Sequence, residues 1–156
     1  MKRNSVAIVT GASEGIGRST AIRLAKDFSA FVIVARNEDA QTEVANNIRT
    51  AGADPLTIAL DLSRVKLPDA VLKTTLDRYG RVDALLNIAG AVPQTDLFEM
   101  TDEQWYAGME LKLHGARRLT IRAWDALKAS NGSVVFMSGS AALDPKLLFV
   151  RRFLVD

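Results

Sequence analysis

SVAIVTGASEGIG, residues 5–17, is the stretch on which the reading of this chain turns. Its first half, 5–10, is a short β-branched run of the kind that forms a buried parallel strand. Its end opens a helix predicted from Gly15 to about Phe28, with Ile16, Thr20, Ala21, Leu24, Ala25 and Phe28 on one face. Between the two lies a glycine loop. Gly11 permits a tight turn, Gly15 lets the backbone approach a pyrophosphate, and Gly17 lets the helix pack closely on the strand. The helix start offers free N–H groups and a positive dipole end, and Ser13 adds a hydroxyl donor. No Lys-Ser or Lys-Thr follows the loop, which excludes a nucleoside triphosphate loop of that type.

Outward from this stretch, strand and helix alternate. AFVIVA (30–35) reads as a second strand, followed by a helix that Asn37 caps and Gly52 closes. LTIAL (56–60) is a third strand, and Pro68 suits the first turn of a helix ending at Gly80. VDALLN (82–87) is a fourth. A long helix is predicted over 101–129, where Trp105, Met109, Leu113, Ala116, Leu119, Ala123 and Leu127 recur at helical spacing, and SVVFMS (133–138) is a fifth strand. This alternation predicts an α/β fold, a doubly wound parallel sheet of five strands with right-handed crossovers and a ligand site at the carboxyl ends of the strands. Residues 1–142 are expected to form one dinucleotide-binding domain of Rossmann type, and 143–156 an atypical tail.

Composition narrows the function. The 156 residues are 48% hydrophobic, and 20 basic residues nearly balance 18 acidic ones for a net charge of +2. Such a balance leaves no nucleic-acid footprint, and no apolar run approaches membrane-spanning length. With no cysteine, disulfides and thiolate chemistry are excluded, and the single histidine, His114, argues against a metal cluster. The start of the chain is too short in apolar residues for a signal peptide, so the cytoplasm is the expected location.

The spacing TGxxxGxG in TGASEGIG (10–17) resembles the short-chain dehydrogenase/reductase family. LDL (60–62) resembles the family segment whose Asp binds the adenine ring. NIAG (87–90) resembles its Asn-Asn-Ala-Gly motif, with Ile88 in place of the second Asn. The resemblance covers residues 5 to about 142. It implies cofactor contacts from Gly11, Ser13, Gly15, Ile16, Gly17, Asp61, Leu62, Asn87, Ala89 and Gly90. Taken singly, Asp61 also reads as a helix cap and Asn87 as a strand-end turn residue.

The choice of nicotinamide cofactor rests on VARN (34–37). NAD binders place Asp or Glu there to hold the ribose hydroxyls. Arg36 occupies the position instead, and a guanidinium pairs with a 2′-phosphate in a charge-assisted, bidentate contact. NADP(H) is therefore expected over NAD(H). Glu14, where some NADP-preferring relatives carry a basic residue, lends no support.

The family's chemistry uses Ser, Tyr and Lys, with Asn supporting a water relay. This chain departs from each. KLHG (112–115) resembles the Asn-Leu-x-Gly segment with Lys112 in the Asn position, where it either points an ammonium at the relay site or is a solvated helix lysine. In SGSAA (138–142), Gly139 stands at the catalytic serine position, leaving Ser138 and Ser140 as flanking substitutes or as turn residues. Tyr-x-x-x-Lys is absent, and the two tyrosines, Tyr79 and Tyr106, fall in other segments. The expectation is a C-terminally truncated or frameshifted oxidoreductase, impaired in hydride transfer to or from a small carbonyl or alcohol substrate. The alternatives are a short NADP(H)-binding protein without turnover and a homo-oligomer partner that associates through helix 101–129. The fifth strand is expected at a sheet edge, with the tail poorly packed.

Overall fold

At the centre of the sheet lies β1 (Val6–Thr10), flanked in parallel by β2 (Ala30–Ala35) and β4 (Ala84–Asn87). β3 (Asp54–Ala59) extends the sheet beyond β2, and β5 (Ser133–Phe136) extends it beyond β4. The order β3-β2-β1-β4-β5 is that of the doubly wound fold. The structure, a computed structural model, describes residues 4–91, 95 and 98–139. The sequence's tail 143–156 and Ser140 lie outside the described residues.

Successive residues of β1 alternate between two cores. Ala7 and Val9 join Phe31, Ile33, Val44 and Ile48 on the side of α1 (Gly15–Leu24) and α2 (Glu38–Thr50). Val6 and Ile8 join Val32, Val71, Leu119 and Leu127 on the side of α3 (Leu67–Tyr79) and α5 (Ala116–Ser130). β1 and β2 are therefore buried on both faces, which is why they read as unbroken apolar runs rather than as alternation.

Element ends depart from the sequence reading for local reasons. α1 stops at Leu24, short of Phe28, because the Asp27 N–H turns back to the Leu24 carbonyl and the Ser29 and Ala30 N–H groups both donate to Ser5. The Phe28 ring then packs edge-on to Phe31, with centroids 5.7 Å apart. β3 begins two residues early, where Pro55 pairs with Phe31, which is tolerated because β3 ends the sheet. β5 stops at Phe136 and is the least covered strand, with Val135 and Phe136 about half exposed at 45% and 57%. It lies at the sheet edge among the described residues.

The long helix is continuous but not uniform. α4 (Asp102–Met109) starts in a capping box between Thr101 and Gln104, passes into a π-helical turn at Glu110–Gly115, and resumes as α5. A π turn rotates every later side chain relative to an ideal α-helix. Leu113, expected on the buried face, is consequently 49% exposed, while Gly108, Gly115 and Ala116 are buried. An ion pair from Arg118 to Glu110 spans the turn.

Candidate functional site

Loops at the C-terminal ends of all five strands meet in one cleft of about 340 Å³. Gly11, Ser13, Ile16 and Gly17 come from the loop after β1. Ala35 and Arg36 come from β2, Asp61 and Leu62 from β3, Ile88 to Gly90 from β4, and Met137 from β5. Leu111 and Lys112 complete the wall from the π turn. Beyond Arg36, Asp61 and Leu111 the cleft opens into a second hollow, bounded by Ser63, Ala91, Ala107 and Gly108.

The glycine loop is held by contacts that leave no room for side chains. Gly11 has φ +67°, and a Cβ on it would come 2.8 Å from the Ala89 Cα. A Cβ on Gly17 would come 2.1 Å from the Gly11 carbonyl oxygen. The reading of Gly17 as a helix–strand packing glycine is thus refined: its neighbour is the loop itself. Gly15 lies outside the cleft wall, and φ +52° with open space around its Cβ position is what suits glycine there. Ile16, expected on the buried face of α1, is 60% exposed along the cleft, because the loop turns the first helical turn outward. Glu14 precedes α1 without a side-chain cap, leaving the first-turn N–H groups without a side-chain partner there.

Thr10, which the sequence reading passed over, locks the loop to β4. Its hydroxyl accepts from the Ile88 and Ala89 N–H groups, both at 3.0 Å, and donates to the Leu86 carbonyl at 3.3 Å. Those three bonds fill the capacity of a hydroxyl. A hydroxyl residue closing a β-branched strand was the available signal. Asn87, by contrast, is 5% exposed and donates to Thr120 Oγ1 on α5 at 3.1 Å. It ties β4 to α5 and is not among the residues that line the cleft.

The charged lining is divided. Arg36 stands after β2 and makes no hydrogen bond or ion pair among the described residues, although its charge acts on Asp61. The Ser63 N–H donates to Asp61 Oδ1 at 3.0 Å and, against the opposing effect of burial, holds that carboxyl below its usual range, with Arg36 and Arg64 adding to the effect. On the far side, the stem of Lys112 lies against Gly90. Gly115 sets this wall: a Cβ there would meet the Leu62 carbonyl oxygen at 2.8 Å, so glycine lets the π turn close on the loop after β3.

These features fit a nicotinamide dinucleotide: a close-packed glycine loop, an uncapped helix start, an unpaired guanidinium after β2 and a carboxylate after β3. Neither tyrosine lines the cleft. The Tyr79 hydroxyl donates to Asp54 Oδ2 at 2.9 Å, at the opposite end of β3, and Tyr106 is 68% exposed on α4. Ser138 follows Met137 but does not line the cleft. Among the described residues no group of three or more His, Asp or Glu side chains could hold a metal ion, and no helix is long and apolar enough to cross a membrane.

The sequence pattern of the short chain dehydrogenase family matches residues 5–150. The chain belongs to that family. Among its relatives, the short-chain reductase protein NovJ of Streptomyces niveus is 32% identical over 143 residues, covering 91% of this chain and 55% of NovJ. The L-sorbose reductase of Gluconobacter frateurii, solved with NADPH and L-sorbose, superposes with a TM-score of 0.86 at 30% identity, over 92% of this chain and 55% of that one. A metagenomic short-chain oxidoreductase solved with NADP superposes with a TM-score of 0.78 at 31% identity, over 84% of this chain and 60% of that one. The chain therefore spans about half the length of the curated relatives it matches.

Proposed function

We propose that this chain carries the NADP(H)-binding half of an oxidoreductase that exchanges hydride with the carbonyl or alcohol carbon of a small molecule. The observation that carries the reading is Arg36, a guanidinium without a hydrogen-bonding partner at the cleft wall after β2. A 2′-phosphate there gains a charge-assisted contact worth about 1.5–3 kcal/mol. Gly11, Ser13, Ile16 and Gly17 hold the pyrophosphate, Asp61 and Leu62 border the adenosine, and Ala89 and Gly90 border the nicotinamide half. Gly15 shapes the loop, and Asn87 steadies β4 from behind. The NADPH and NADP complexes of the two solved relatives support this assignment.

When bound, the nicotinamide supplies or accepts hydride, and the chain's own residues bind and orient it. A second reading, binding without turnover by this chain alone, is favoured by one observation: neither of its two tyrosines lines the cleft. Ser138 and Ser140 flank the position of the family's serine without a tyrosine beside them in sequence. On this reading 1–142 is the binding domain, and 143–156 an appended tail.

Equilibrium titration with NADPH and NADH, followed by the fluorescence of the reduced nicotinamide, tests the proposal. Tighter binding of NADPH is expected. Absence of binding by either cofactor defeats the assignment of the cleft.

A further inference from the structure

We infer that Gln41, a buried residue of α2, is a positioning residue that sets the cofactor preference by holding the peptide between Ala35 and Arg36 against the end of β3. The inference rests on the reading of Arg36 as the 2′-phosphate contact. Gln41 shares the core-facing side of α2 with Val44, Ala45 and Ile48, a position where the helical period calls for an apolar side chain. It carries an amide there instead, and at 0% exposure the amide has no access to water. A buried amide is costly unless it is hydrogen-bonded.

Its bonds lead to the strand ends. The Gln41 Nε2 donates to the Ala35 carbonyl at 2.7 Å and to the Ile58 carbonyl at 3.1 Å. Both partners only accept, so the amide nitrogen has to face them. The Ala35 carbonyl also accepts from the Leu60 N–H at 2.9 Å. One oxygen thus joins the end of β2, the residue before Asp61, and α2. The Ala35 carbonyl and the Arg36 N–H belong to a single rigid peptide plane. The amide therefore fixes the direction in which Arg36 leaves the sheet, although Gln41 is not among the residues that line the cleft.

The other half of the amide shows the cost. Gln41 Oε1 is buried and has no hydrogen-bond partner among the described residues. An apolar side chain of similar length would leave no orphaned acceptor. The Leu60 N–H already satisfies the Ala35 carbonyl, so what the second bond to that oxygen adds is rigidity before Arg36. A guanidinium on a fixed root loses less freedom when it meets a phosphate. NADH has no 2′-phosphate, so a loosened root weakens NADPH binding and leaves NADH binding nearly unchanged.

The test is the ratio of dissociation constants for NADH and NADPH in the wild type, Gln41→Met, Gln41→Glu, Arg36→Ala and the two Gln41 variants combined with Arg36→Ala. Gln41→Met is expected to lower the preference for NADPH by about 3- to 10-fold, the order of one neutral hydrogen bond. Gln41→Glu, whose carboxyl can donate at most one hydrogen when protonated, is expected to fall between it and the wild type. In the Arg36→Ala background neither Gln41 substitution is expected to move the ratio further. A merely structural role would lower thermal stability and both affinities together and leave the ratio alone. That result, or a ratio shift that persists without Arg36, overturns the inference while the cleft assignment stands. Should Gln41→Met fail to fold, Gln41→Glu with and without Arg36→Ala decides by the same criterion. A wild type that binds neither cofactor, or that does not prefer NADPH, overturns the reading of Arg36 and this inference with it.

Discussion

Gly17 and Gly11 touch across the glycine loop: a single added carbon on Gly17 would stand 2.1 Å from the Gly11 carbonyl oxygen. No rotamer relieves that contact, because both partners are backbone. Gly17→Ala is therefore expected to deform the loop and weaken NADPH binding by more than about tenfold, while the far-ultraviolet dichroism of the sheet stays unchanged. Wild-type affinity in this variant contradicts the loop's role as the phosphate cradle.

The Thr10 hydroxyl is a second point of control. Thr10→Val keeps the shape and the β-branched strand residue but leaves the Ile88 and Ala89 N–H groups without their acceptor. A fully buried donor left without an acceptor costs about 1–3 kcal/mol, and these two N–H groups are part-buried, so denaturant unfolding should show a loss of about 1–2 kcal/mol. Thr10→Ser should recover most of it, and equal stability of the Val and Ser variants would show that the latch is not formed.

The architecture was legible because β1, β2 and β4 are buried along their whole length and because Asn37, Gly52 and Gly80 punctuate helices where backbone geometry requires it. Asn37 accepts from the Ala40 N–H at 3.0 Å, and Gly80 adopts φ +69° after α3, both as the residue types demand. The π turn was not legible. An apolar period read at 3.6 residues passes through Leu113 without signalling an inserted residue, and only the approach of Gly115 to Leu62 shows why the helix departs from it. In the cleft, glycine spacing and Arg36 were visible in the chain, whereas the hydrogen bonds of Thr10 and Asn87 were not. The first works through backbone partners 76 to 79 residues away, and the second turns toward α5.

An alkaline transition should report the far end of the sheet. Burial, reinforced by hydrogen bonding to Asp54, pushes the Tyr79 hydroxyl up to about 12 from 10.0. The folded state therefore holds this proton more tightly than the unfolded chain does. The resulting stability is present below pH 10 and is lost as pH rises toward 12. Unfolding curves of the wild type should weaken across that window more steeply than those of Tyr79→Phe. Parallel pH profiles for the two proteins would remove the argument.

Carbonyl reduction by this chain alone should be slow. Hydride delivery to a carbonyl leaves an oxyanion that needs a proton donor within hydrogen-bond reach, and neither tyrosine is among the residues that line the cleft. Losing a positioned acid typically lowers the rate by about 10²- to 10⁴-fold. NADPH oxidation with a panel of ketones and aldehydes should thus stay near background. Rapid turnover that disappears in Lys112→Ala or in a Ser138→Ala, Ser140→Ala double variant would show that one of these residues supplies the proton.

The most direct measurement is cofactor preference in the wild type and in Arg36→Asp, each titrated with NADPH and NADH. The account predicts a wild-type preference for NADPH of about 10- to 150-fold, the equivalent of one charge-assisted contact. It predicts that the preference disappears or inverts when a carboxylate replaces the guanidinium beside the ribose. A wild type that prefers NADH, or a preference that survives Arg36→Asp intact, contradicts it.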